Sequence, residues 1–372
     1  MAAIPARLLI GIGAVLLVGV LALRSGEAHG IASECSPACT AAPAGASPAA
    51  LLPGDEVILA AGDIASCLST GDEATAAVLD GLAGSVITLG DNVYNNGTAS
   101  EFTNCYGPSW GLHLARTMPS PGNHDYNTPG ATGYYGYFGA AAGDPAEGYY
   151  SYEAGAWHIV VINSNCAAIG GCALGSPQEV WLRADLAAHP AVCTMAYWHH
   201  PRFSSGALHG DTPAMQPIWQ ALQDASADLV LSGHEHNYER YASQTATGAA
   251  DPHGIVEFVV GTGGHSHYPF GTPDPNSLVR NGDTFGVLKL TLHAASYDWE
   301  FVPEAGKTFT DTGTANCQTA VTAVGGSAAP PDVAALRSAG PSGGSRGTYF
   351  LGAAFAFIAA TAGAVGLRVR RG

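Results

Sequence analysis

Five short polar clusters stand where apolar runs of this chain end: Gly62-Asp63, Gly90-Asp91-Asn92-Val93-Tyr94, Gly122-Asn123-His124-Asp125, His199-His200-Pro201 and Gly233-His234-Glu235-His236. Their side chains offer carboxylate, phenol, amide and imidazole donors, a set suited to holding two cations for hydrolytic chemistry. A carboxylate such as Asp63 or Asp91 can bridge two cations, which an imidazole cannot. His199, His234 and His236 add nitrogen, and Asn123 adds a neutral carbonyl oxygen. This mixture suits iron, manganese or zinc, and the lack of cysteine in the set argues against a closed structural zinc site. Taken singly, each cluster has a plainer reading, since Gly-Asp is usually a turn and Gly-Asn-His-Asp can be a loop. Five of them in order, each behind an apolar run, have little chance of arising together from turns.

An apolar run that ends in glycine and a ligand reads as a buried strand delivering that ligand to its carboxyl end, where open α/β sheets place their sites. Such strands are predicted from Glu56 to Ala61, Ser85 to Leu89, Ala191 to Trp198 and Ala227 to Leu231. Helices are expected between them. Asp72 is placed to cap one through Leu82, and Ser176-Pro177-Gln178-Glu179 offers an N-cap, a first-position proline and a capping-box glutamate before Val180 to Ala188. The segments Tyr149 to Glu153, Trp157 to Asn163, Ile255 to Val260, Phe285 to Leu292 and Ser296 to Val302 look like strands joined by turns, the last two around a hairpin at Leu292 to Ala295. The fold expected is α/β (α+β layered): a central β-sandwich flanked by helices, in one domain spanning 54–318.

The rest of the chain bears on location. Leu8 to Leu23 is an unbroken apolar stretch between Arg7 and Arg24, so 1–30 reads as a signal peptide or anchor, followed by a short lead over 31–53. The segment 319–347, rich in Ala, Pro, Gly and Ser, reads as a flexible linker. In 348–372, Thr348 to Leu367 carries no charge and is followed by Arg368, Arg370 and Arg371, the pattern of a membrane-spanning helix with a basic tail. An exported, membrane-anchored protein with its catalytic domain outside the cytoplasm is expected. Eight cysteines agree with an oxidising compartment. Proximity suggests Cys166 with Cys172 and Cys35 with Cys39, leaving Cys67 with Cys105 and Cys193 with Cys317 as long-range pairs. A formal charge of −16, with two lysines, makes a nucleic-acid partner held by a basic face improbable. That charge would also repel a phosphate ester, so local positive charge must come from bound metal.

The series Gly-Asp, Gly-Asp-x-x-Tyr, Gly-Asn-His-Asp, His-x-Pro and Gly-His-x-His, running from Val57 to Arg240, resembles the calcineurin-like metallophosphoesterases and within them the purple acid phosphatases. The resemblance implies a four-layer sandwich with a dinuclear centre at the strand ends. Many members carry a histidine ligand in the first block where this chain has Ala65, and Tyr94 restores the lost donor. By resemblance, Asp63, Tyr94 and His236 hold one metal, Asn123, His199 and His234 hold the other, and Asp91 bridges them. A tyrosine donor favours Fe(III) and a charge-transfer colour, with Zn(II), Fe(II) or Mn(II) as the second ion. His199 rather than His200 is the ligand because the family's histidine stands two before the proline. The resemblance further implies a metal-bound hydroxide as nucleophile and a small phosphate ester as substrate. His124 would contact phosphate or protonate the leaving group, with Asp125 orienting it, and His209, in the loop from Arg202, would be a second proton donor or substrate contact. His265 and His267 are expected at the pocket rim, and Glu239 and Arg240 as braces. Phosphomonoester hydrolysis is the reading adopted. A phosphodiesterase on the same scaffold is its nearest rival, and a surface binding protein with a vestigial site is the alternative of a different class.

Overall fold

The computed structural model of the chain describes residues 52 and 54–318. Their order begins β1 (Glu56–Ala61), β2 (Ala65–Ser66), α1 (Gly71–Asp80), β3 (Ser85–Leu89), β4 (Val93–Tyr94), α2 (Ala99–Glu101), β5 (Thr117–Ser120) and α3 (Thr132–Phe138). It continues with β6 (Tyr150–Ala154), β7 (Trp157–Val161), α4 (Pro177–Ala188), β8 (Cys193–Tyr197), α5 (Gln216–Asp224), β9 (Leu229–Ser232), β10 (Tyr238–Tyr241) and β11 (Val256–Val260). Four strands close it: β12 (Ser277–Asn281), β13 (Gly286–Leu292), β14 (Ser296–Pro303) and β15 (Thr312–Asn316).

Two sheets form the sandwich. One has the order β15-β14-β13-β1-β3-β5 and the other β12-β10-β11-β9-β8-β7-β6. Within the first, β1, β3 and β5 run parallel, and within the second β7, β8, β9 and β11 do. These parallel strands therefore end on a common side, and their loops converge there.

The alternation of side chains along a strand separates two cores. In β7, Ile159 and Val161 join Met195, Leu229, Phe258, Val86 and Leu288 in the core that includes residues of both sheets. Val160, between them, joins Ala196, Val230, Leu182, Ile218, Trp219 and Leu222, in the core beneath α4 and α5. On the other side of the molecule α1 packs on β13 and β14. Helix, sheet, sheet and helices thus give the expected four layers.

Three expected disulfides are formed: Cys67–Cys105, Cys166–Cys172 and Cys193–Cys317. The last ties the segment after β15 to the start of β8. Cys35 and Cys39, the expected leader at 1–30, the linker at 319–347 and the expected membrane helix at 348–372 lie outside the described residues. Among the described residues no helix is long and apolar enough to cross a membrane.

Two helix starts differ from expectation. Thr70, not Asp72, precedes the first turn of α1; Asp72 lies inside that turn, buried, and accepts the hydroxyl hydrogen of Ser109. At α4, Ser176 stands at the N-cap but its hydroxyl makes no capping bond. Glu179 reaches one residue further back, accepting from the Gly175 amide at 3.0 Å, and its other oxygen takes Arg183. The helix keeps a carboxylate against its positive end without the capping box.

Candidate metal centre

Each donor leaves the end of a parallel strand or the short ribbon beside it. Asp63 follows β1, Asp91 follows β3, Asn123 follows β5, His199 follows β8, and His234 and His236 follow β9. Tyr94 ends β4, which pairs in parallel with β2 as Ala65↔Val93 and Ser66↔Tyr94. Three of these donors, Asp63, Asp91 and His234, have left-handed backbone, with φ of 59°, 47° and 71°. Such conformations cost side-chain-bearing residues of order 1 to 3 kcal/mol and persist where the surroundings over-determine them. Glycine is required beside them. Gly90 has φ +79°, and a Cβ there would sit 2.6 Å from the His199 ring; a Cβ on Gly122 would lie 2.1 Å from the amide and Oδ1 of Asp91.

The donors fall into two groups that share one atom. Tyr94 Oη lies 2.7 Å from Asp63 Oδ1, 2.9 Å from Asp91 Oδ2 and 3.1 Å from His236 Nε2. His199 Nε2 lies 3.2 Å from the same Asp91 Oδ2, 3.0 Å from Asn123 Oδ1 and 3.1 Å from His234 Nδ1. The other carboxylate oxygens are fixed by backbone, Asp91 Oδ1 accepting from the His124 amide and Asp63 Oδ2 from the His234 amide, both at 2.7 Å.

The outer nitrogens of the imidazoles fix which atom faces inward. His199 Nδ1 donates to the Leu89 carbonyl at 2.8 Å, so its Nε2 is free to present a lone pair. His236 Nδ1 lies 2.7 Å from Ser266 Oγ, leaving its Nε2 toward Tyr94 and Asp63. Carbonyl oxygen, carboxylate oxygen and imidazole nitrogen then point lone pairs at one another. Such an arrangement fits cations between them.

Electrostatics point the same way. Burial opposes charge on Asp63, yet the His236 imidazole beside it holds the acid below its usual range. Burial likewise opposes charge on Asp91, and His199 and His124 more than offset it. His199 is pushed up to about 9: burial opposes its charge, but Asp91 and Asp63 outweigh it. His234 is driven the other way by burial and by His199 and His200. Burial, with Asp63 and Asp91 beside it, raises Tyr94 well above a normal phenol. A phenolate at Tyr94 therefore needs a cation at its oxygen.

The flanking histidines separate by role. His124 donates from Nδ1 to the Asn95 carbonyl at 2.7 Å, and its Nε2 lies 4.0 Å from Asp91 Oδ2. Asp125 does not orient it, contrary to expectation. Its Oδ2 takes the Gly122 amide at 2.8 Å and the Asn92 side chain at 2.9 Å, a buried brace between two ligand loops that burial and Asp91 push up to about 7. His209 does come over the centre, its ring 4.2 Å from that of His234. His200 lies beside the same ring at 4.4 Å, with Nδ1 2.8 Å from Ser164 Oγ. His265 stacks on Tyr94 at 3.6 Å, whereas His267 turns away onto Phe285 at 3.9 Å. Glu239 braces the loop, accepting from the Ser205 amide, and Arg240 pairs with Asp311.

Four supporting residues were not anticipated: Asn92, Ser266, Tyr268, which stacks on His236 at 3.8 Å, and Glu235. Glu235 stands between two ligands but is turned to the opposite side, where Oε1 accepts the amides of His209 and Gly210 at 2.6 and 2.7 Å. The alternation His-Glu-His was its available signal: a buried acid between two ligands must find donors elsewhere.

Comparison with known proteins agrees with this geometry. Residues 57–238 match the family model described as calcineurin-like phosphoesterase. Purple acid phosphatase 15 of Arabidopsis thaliana is 26% identical over 234 residues, covering 51% of this chain and 43% of that protein. Purple acid phosphatase 22 of the same plant is 31% identical over 126 residues, covering 32% of this chain and 27% of that one. The chain thus spans less than half the length of these curated relatives. Among solved structures, a purple acid phosphatase from yellow lupin seeds superposes with a TM-score of 0.57 at 17% identity, over 70% of this chain and 54% of that one. GAP50, the anchor in the inner membrane complex of Plasmodium, superposes with 0.53 at 15% identity, over 71% and 90%. At these identities the structural likeness is one of fold.

Proposed function

We propose that this chain, which belongs to the calcineurin-like phosphoesterase superfamily and is similar to its purple acid phosphatases, is an exported hydrolase of phosphate monoesters. The observation that carries the reading is Asp91 Oδ2, one carboxylate oxygen lying against both Tyr94 Oη and His199 Nε2. That carboxylate would be placed to serve both ions of a dinuclear centre. Asp63, Tyr94 and His236 would hold one ion, and Asn123, His199 and His234 the other. When bound, an Fe(III) and a divalent Zn, Fe or Mn ion would orient the phosphate and lower the pKa of water.

The chain's own residues would do the rest. Asp63 and Asp91 are buried, so the charges they carry act with little competition from water. His124, fixed through Nδ1, keeps Nε2 on the open side of Asp91 to hold a proton for the leaving oxygen. His209, above His234, would contact the ester or share that task. Three disulfides support export to an oxidising compartment.

The experiment combines elemental analysis, a visible absorption spectrum and p-nitrophenyl phosphate turnover on one sample. Close to one iron, one divalent metal, a tyrosinate band and turnover are expected. Turnover with two metals but no iron and no band would remove the Tyr94 assignment. Neither metal nor turnover after metal addition would overturn the reading as a whole.

A further inference from the structure

At the far end of the second sheet stands a second cluster of ligating side chains with no part in the chemistry above. Glu153 on β6 and His158 on β7 are cross-strand partners. Asp185 and His189 are one turn apart at the end of α4, where Asp185 reaches Ser151 on β6 and His158 on β7. His158 is fully buried, with Nδ1 2.9 Å from Glu153 Oε1 and Nε2 2.8 Å from Asp185 Oδ2. His189 Nδ1 lies 3.3 Å from the same Glu153 Oε1. In the register of the sheet His158 is opposite Thr194, five residues before His199. At about 3.3 Å per residue the two places are separated by roughly 16 Å.

We propose that Glu153, His158 and His189 form a mononuclear site for a zinc ion, distinct from the dinuclear centre. One donor atom from each lies within 4.8 Å of the others. The separations of 2.9 and 3.3 Å approach the spacing of about 3.4 Å between tetrahedral ligands placed about 2.1 Å from zinc. Asp185 serves as the positioning group. It accepts from His158 Nε2, which fixes the tautomer that turns Nδ1 toward Glu153, and its other oxygen is anchored by Ser151 Oγ at 2.8 Å. The charge balance also favours a cation. Among the described residues no lysine or arginine pairs with Glu153 or Asp185, the neighbouring Arg183 being committed to Glu179 and Asp224. Glu153 and His189 are half exposed, which leaves an entry path and a position for water. The ion would bind the edge strand β6 to the end of α4.

The test counts zinc in the full protein by equilibrium dialysis and elemental analysis, with cobalt spectra as a direct view of tetrahedral coordination. Wild type is expected to bind one equivalent more than His189→Ala and Glu153→Ala, whose side chains are exposed enough for both variants to fold. Asp185→Asn should weaken that equivalent by about 10- to 100-fold. Both alanine variants should keep ester hydrolysis, while Asp91→Ala should lose hydrolysis and keep the zinc equivalent that His189→Ala removes. Equal zinc counts and equal cobalt spectra in wild type, His189→Ala and Glu153→Ala would overturn the proposal and leave the dinuclear reading untouched.

Discussion

Replacing Glu235 with alanine tests whether the loop over the metal centre is held by a carboxylate that never touches substrate. The side chain is fully buried, and its Oε1 receives the amides of His209 and Gly210. A hydrogen bond to a charged group contributes about 1.5 to 3 kcal/mol, so Glu235→Ala removes about 3 to 6 kcal/mol from one short loop and leaves two amides without their acceptor. The beginning of that loop stays anchored, with Arg202 and Phe203 donating to Glu257 and Ser205 to Glu239. The loss should fall on 206–210 and release His209 from its contact with the His234 ring. Removal of a positioned proton donor costs about 10²- to 10⁴-fold. Glu235→Ala and His209→Ala should then each lower kcat/KM by about 10²-fold, and the double variant by about the same amount rather than about 10⁴-fold. The assay is steady-state hydrolysis of p-nitrophenyl phosphate on the three variants at equal metal content. Multiplying losses, or a Glu235→Ala enzyme as fast as wild type beside a crippled His209→Ala, would refute the linkage.

His124→Ala leaves all seven metal donors in place and should retain both metals while lowering kcat by about 10²-fold, seen by elemental analysis beside turnover. Tyr94→Phe removes the phenol oxygen between Asp63 and Asp91; the visible band should vanish, and a band that persists would reassign the chromophore. Chelation to the metal-free state should abolish inorganic phosphate binding by calorimetry, and metal addition should restore it. Asp228 lies away from the centre, and burial pushes it up to about 6 although the amides of Thr194 and Gln318 donate to it. The folded state thus holds its proton more tightly than the unfolded state, whose ordinary value is near 4. Stability from this group is complete below about pH 4 and lost as pH rises through about 6, a change of up to about 3 kcal/mol at 1.36 kcal/mol per unit. Asp228→Asn should flatten that part of a denaturation profile taken from pH 4 to 7.

The strands that carry ligands were legible because burial on both faces makes them continuous apolar runs. Glu56–Ala61 and Ser85–Leu89 have the expected limits, and Cys193–Tyr197 and Leu229–Ser232 fall within a few residues of theirs. The strands that escaped notice are those the same rule hides. Three are edges, each pairing with a single neighbour. Thr117–Ser120 contains Pro119, while Ser277–Asn281 and Thr312–Asn316 are mostly polar and half exposed. Helix α3 reads Thr-Gly-Tyr-Tyr-Gly-Tyr-Phe, and its two glycines mask it. At the site, the donors were readable from spacing along the chain, and their supports were not. Ser266 meets His236 from 30 residues away, and Asp125 meets Asn92 from 33.

The distribution of positive charge explains why the donor set has to be so complete. All five arginines of the described residues are committed elsewhere. Arg116 serves the carbonyls of Leu79, Leu82 and Gly84, and Arg183 pairs with Glu179 and Asp224. Arg202 donates to the Ala246 carbonyl, Arg240 pairs with Asp311, and Arg280 bonds Ser277. Both lysines are similarly engaged, Lys289 with Glu300 and Lys307 with the Asp283 carbonyl. Among the described residues of this chain of formal charge −16, no guanidinium or ammonium is therefore brought to the place where a phosphate would sit. Two carboxylates are buried there instead, and buried carboxylates next to an anionic substrate are tolerable only if cations stand between them. Those carboxylates alone would repel phosphate, and the cations they hold would attract it. On the proposed reading, the cations held by those seven side chains would both recognise the anion and activate water, with His124 and His209 beside them.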